Sequence, residues 1–115
     1  MRSRNAGYSR IETQNTELYR IIVSENINTW SAADYFIKAM LVDNHNEKKR
    51  DENREFIFTG EKEKLSEKGL MAMDSLIKCD DGDVWVKLTN IGGEDIQIQT
   101  GMTLGYADVY QEDEQ

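Results

Sequence analysis

The sequence predicts a small all-β domain, a β-sandwich or barrel with a short helix or none. Three observations carry that expectation. Val84, Val86 and Leu88 alternate with Trp85, Lys87 and Thr89, and Ile96 and Ile98 alternate with Gln97 and Gln99, the period-2 pattern of strands with one buried face. Asp80-Asp81-Gly82-Asp83 and Asn90-Ile91-Gly92-Gly93-Glu94-Asp95 separate the apolar runs with residue types that accept the backbone angles of tight turns. A chain of 115 residues is also long enough for one core and too short for two.

In chain order, residues 1–17 are rich in Arg, Ser, Asn and Thr, have no sustained period, and read as a flexible arm. The β-branched and aromatic run 18–23 predicts a first strand, and Ser24-Glu25-Asn26 a turn. Over 30–42 a helix and a strand compete. Ser31 would cap a helix and Ala32, Ala33 and Ala39 favour one, whereas Tyr35, Ile37, Ala39 and Leu41 alternate with Phe36, Lys38, Met40 and Val42. The alternation favours a strand over 35–43 approached by a turn at 31–34.

Residues 43–55 contain no apolar side chain and predict an exposed hairpin loop, with His45 as a solvated histidine. Phe56-Ile57-Phe58 predicts a short strand ended by Thr59-Gly60. The charged stretch 61–68, with Leu65 as its one apolar member, fits a helical turn or an irregular crossing outside the core. Residues 70–79 predict a broken strand, or two short strands meeting at Asp74, with Met71 and Met73 as packing material. A hairpin turn at 80–83, a strand over 84–89, reversals at 90–95 and 100–101, and a last strand over 104–110 follow. That last strand alternates Leu104, Tyr106 and Asp108 against Gly105, Ala107 and Val109. Residues 111–115 form an acidic tail, so the expected domain is 18–110.

Charge and composition bound the function. With 22 acidic against 14 basic side chains, the net charge of -8 disfavours nucleic acid and anionic membrane and favours a protein partner, a basic one included. Arg2, Arg4, Arg10 and the run Lys48-Lys49-Arg50 are local exceptions that read as solvated charge. Cys79 and His45 stand alone, so no intrachain disulfide and no metal site is expected. No apolar run has the length of a membrane span and the first residues lack a signal-peptide core, which points to an intracellular protein of cytoplasm or nucleus.

No phosphate loop, nucleophile elbow or His-Glu-x-x-His stretch occurs, and the three carboxylates at 80–83 lack the ligand order of a calcium loop. No catalytic residue and no cofactor is assigned. Trp85, Trp30, Tyr106 and Tyr110 are the candidate interface residues. Two readings of Trp85 stand side by side: an outward contact residue, or one covered by the arm or a second sheet.

The pattern Gly82-Asp83-Val84-Trp85-Val86-Lys87-Leu88-Thr89-Asn90, then Glu94-Asp95-Ile96-Gln97-Ile98, then Gly101-Met102-Thr103-Leu104-Gly105 resembles a segment of dUTPase-like domains. It also resembles the segment between protease and reverse transcriptase in gypsy-type LTR retrotransposon polyproteins. The resemblance runs over 18–110 and implies a β-clip domain in a family where homotrimers are common. The Arg-Ser-Gly phosphate contact, the Asp-x-x-Tyr-x-Gly uridine hairpin and the Gly-rich lid of active dUTPases are missing, so Asp83 is not carried over as a base. The expected function is therefore a non-catalytic protein-interaction or assembly module, with a homotrimer or other homo-oligomer in view. A diverged nucleotide pyrophosphatase and an acidic nucleic-acid mimic are the alternatives.

Overall fold

The structure, a computed structural model, describes residues 18–110; the arm at 1–17 and the acidic tail at 111–115 lie outside them. Nine strands and one helix follow in order: β1 (Tyr19–Val23), β2 (Ile27–Thr29), β3 (Ala33–Val42), β4 (Asn53–Gly60), α1 (Lys62–Glu67), β5 (Leu70–Ala72), β6 (Ser75–Asp80), β7 (Asp83–Asn90), β8 (Ile96–Ile98) and β9 (Thr103–Val109). Six of the strands close into an antiparallel barrel in the order β3-β1-β9-β4-β6-β7, the ring being sealed where β7 returns to β3. The all-β expectation holds, and the contested stretch 30–42 holds a strand, Ala33–Val42, rather than a helix.

Alternation builds the interior. Ile21 and Val23, then Ile37, Ala39 and Leu41, then Phe56 and Phe58, then Ile77 and Cys79, then Val84, Val86 and Leu88 all point inward and are buried. Removing each large aliphatic or aromatic side chain from water contributes roughly 1.5–3 kcal/mol against the entropy of ordering the chain. Closure leaves the six barrel strands without a free edge except where β7 parts from β6. There the two strands share one pair, Asp80 with Asp83, and β5 takes over beside β7, pairing Leu70 with Asn90 and Ala72 with Leu88. The turn between β6 and β7 is the tight hairpin expected from Asp81 and Gly82, which sit at φ 53° and 84°.

Several local expectations are corrected. The segment between β3 and β4 is not a hairpin loop, because β3 pairs with β1 and β7 while β4 pairs with β6 and β9. It crosses one end of the barrel and is tied down there. Lys49 N donates to Leu41 O at 2.9 Å, Gly82 N donates to Glu52 O at 3.2 Å, and Lys48 pairs with Asp83 at 2.7 Å. The strand around Phe56 is longer than three residues and includes Thr59 and Gly60, since ladder pairing on both sides extends it. The strand at Ile27–Thr29 is an addition to the expected elements, formed where it pairs with β8.

Residues 62–67 form α1, and Leu65 is 1 % exposed within the core, so this charged stretch is a core element after all. One apolar side chain among charged neighbours suffices to anchor a short helix to the core. On β9, Leu104 and Ala107 are both buried, contrary to simple alternation, because the pairing with β1 shifts register between Ile21 and Ile22. An extra residue at such a bulge moves the following side chains to the other face. The small second sheet, β2 with β8, lies at the end of the barrel reached by Asn90.

Candidate functional site

β7 pairs with β3 along its whole length, from Ala33 opposite Asn90 to Met40 opposite Asp83. The even-numbered residues of β3 and their odd-numbered partners on β7 point away from the core and make a two-stranded outer face. Its rows are Asp34 with Thr89, Phe36 with Lys87, Lys38 with Trp85, and Met40 with Asp83. Phe36 is 71 % exposed and Trp85 58 %. They sit on diagonal positions of adjacent rows, within reach of one another for aromatic side chains. Large aromatic surface left in water at the centre of a rigid ladder is a candidate contact site, since burying it later costs little ordering entropy.

The charges on this face are arranged around the aromatics. Asp34 accepts a hydrogen bond from Thr89 Oγ1 at 2.7 Å and lies 3.6 Å from Lys87 Nζ. The Thr89 hydroxyl, with Lys87 beside it, holds the Asp34 carboxyl below the usual carboxylate range. Asp83 is engaged by Lys48 instead, which gives this aspartate a structural ion pair. Lys38 makes no ion pair among the described residues and stands directly opposite Trp85.

The four predicted interface residues do not converge. Trp85 lies on the outer face just described. Trp30 is 64 % exposed in the turn before β3, where its backbone N–H donates to Tyr35 Oη and Asp95 Oδ1 accepts from the neighbouring Ser31 N–H. Tyr106 is half-buried on β9, and Tyr110 follows that strand with its N–H donating to Glu55 O. β9 is three strands from β7 in either direction around the ring, so both tyrosines occupy the far side of the barrel. Phe36 was missed as a candidate because it lies in a run apolar on both faces. A usable signal was present: Asp34-Tyr35-Phe36-Ile37-Lys38 and Asp83-Val84-Trp85-Val86-Lys87 share the pattern Asp, apolar, aromatic, apolar, Lys.

A second feature is a groove of about 520 Å³ between α1 and β5, floored by Leu70 and Ala72 and bordered by Met71, Met73 and Ile91. Met71 and Met73 are exposed at 41 % and 59 %, not packing material, because Leu70 and Ala72 take the inward positions of β5. Lys62 Nζ closes the rim on Asp74 Oδ1 at 2.7 Å.

Among the described residues no group of three or more His, Cys, Asp and Glu side chains is gathered as metal ligands would be. Cys79 is buried, and burial pushes its thiol above the ordinary value. No helix of the described chain is long and apolar enough to cross a membrane. Scans against protein-family models, curated proteins and solved structures each returned no match.

Proposed function

We propose that this chain is a non-catalytic protein-interaction or assembly module, of the retroelement-polyprotein kind or descended from one, whose contact surface is the outer face of β3 and β7. The observation that carries the reading is the placement of Phe36 and Trp85, two neighbouring aromatics on a rigid ladder, both more than half exposed. Covering each would contribute on the order of 2–3 kcal/mol, enough for a pair of anchors to decide a weak interface. Closure supports the same reading for this wall, because β3 is paired with β1 and β7 on its two sides and offers no open backbone edge, so contact there is made by side chains.

The test is site-specific crosslinking. A photo-reactive residue placed at Phe36 in the full chain, and in a second preparation at Glu55 on the opposite wall, is irradiated in an extract of the native cells. Discrete protein adducts from position 36, absent from position 55 and lost on adding Trp85→Ser, are the expected result. Equal adducts from both positions, or none from position 36, would overturn the assignment of this face.

A further inference from the structure

The outer face of β3 and β7 carries an internal symmetry. Half a turn about an axis normal to the ladder, through the Ile37–Val86 pair, carries Asp34 onto Asp83, Phe36 onto Trp85 and Lys38 onto Lys87. The face is thus a two-fold pattern, with aromatics on one diagonal of its central rows and lysines on the other. From this arrangement we infer that the occupant of the face is a second copy of this chain, docked face to face as an isologous dimer. The inference rests on the reading of this wall as a contact surface.

Charge complementarity is the argument. In a dimer whose two-fold axis lies in the interface along the strands, each position meets its row partner on the other copy. Phe36 then faces Lys87, and Lys38 faces Trp85. With the axis across the strands, Phe36 faces Lys38 and Trp85 faces Lys87. Both arrangements set every aromatic ring against an ammonium group, and neither opposes lysine to lysine or aspartate to aspartate. Cations seated on aromatic faces are attracted by the ring quadrupole, most strongly for Trp. Lys38 is free for that role, making no ion pair among the described residues, whereas Lys87 is shared with Asp34.

The mixed charges also fit a self-contact better than a basic partner, which Lys38 and Lys87 would meet as like charges. A two-strand wall of a barrel is narrow beside the ~800 Å² per partner of a standard interface, so the dimer is expected to be weak and concentration-dependent.

The experiment is sedimentation equilibrium of the full chain at concentrations up to about 100 µM, a range that populates weak interfaces. The expected result is a monomer–dimer equilibrium. Phe36→Ser with Trp85→Ser, and separately Lys38→Glu, should each weaken it about tenfold or more. Ile57→Ser with Leu76→Ser removes another exposed apolar pair, directly opposed across β4 and β6, and should leave it unchanged. Circular dichroism verifies that each variant is folded, and Lys38→Glu probes the same wall without removing an aromatic. A strict monomer, a trimer, or a dimer insensitive to changes at positions 36, 85 and 38 would overturn the inference. A monomer that still yields position-specific crosslinks to another protein removes the dimer and leaves the contact-face reading standing.

Discussion

Asn90 and Thr29, 61 residues apart in sequence, are joined in the core: Asn90 Nδ2 donates to the carbonyl and the hydroxyl of Thr29 at 3.3 and 3.2 Å. The same amide reaches Glu94 O at 3.0 Å, and Asn90 Oδ1 accepts from Gly92 N–H at 3.0 Å. One side chain at the end of β7 therefore fastens β2, the turn after β7 and the approach to β8. Both residues are essentially fully buried, so these polar atoms have no recourse to water.

Replacing that amide should be costly. Asn90→Ala leaves the Thr29 and Glu94 oxygens without their donor, and a loss of about 2–4 kcal/mol is expected. Asn90→Asp should be worse, because a carboxylate would face the oxygens that now accept. Urea unfolding of the two variants checks both the size and the order of the effects.

Leu65 anchors α1 to the core, where it is 1 % exposed among the buried side chains. Leu65→Ala is expected to cost about 2–4 kcal/mol through lost burial and the cavity left behind. Replacement of the exposed Glu63 or Lys64 by Ala on the same helix should change stability by less than about 0.5 kcal/mol. Thermal melts of the three variants measure the contrast.

Gly105 is required by close approach. A Cβ there would stand 2.2 Å from Thr59 O and 2.7 Å from Phe58 Cε1. Neither the backbone of β4 nor a packed ring in the barrel can retreat cheaply. Gly105→Ala should destabilise by about 2–3 kcal/mol, whereas Gly93→Ala, where an added methyl meets nothing within 4 Å, should be close to neutral. Denaturant midpoints compare the pair.

Acid should loosen the fold through specific aspartates. Backbone N–H groups of Glu47 and His45 hold Asp43 below its ordinary pKa, as do Lys62 and the Gly60 N–H for Asp74. Because the folded values are depressed, the unfolded chain binds more protons as the pH falls. Their stabilisation is complete above the ordinary carboxylate value near 3.8 and is lost as pH drops through the folded values. Melting temperature followed below about pH 4 should decline, and Asp43→Asn, which keeps the accepting oxygen, should flatten part of that decline.

The sequence by itself determined the strands with a clean period of two, β7 above all. It also determined the turns at Gly82 and Gly101, because one-sided burial and positive φ each leave a local residue signature. Trp85 was legible as outward-facing for the same reason. The tertiary structure decided what depends on contacts between distant segments: the closure of β7 on β3, the pairing of β5 beside β7, the crossing of 43–52 under the barrel and the burial of Leu65 in the core. It alone placed Phe36 diagonal to Trp85. The register of two strands nearly fifty residues apart sets that neighbourhood, and register is a property of the ladder, not of either strand.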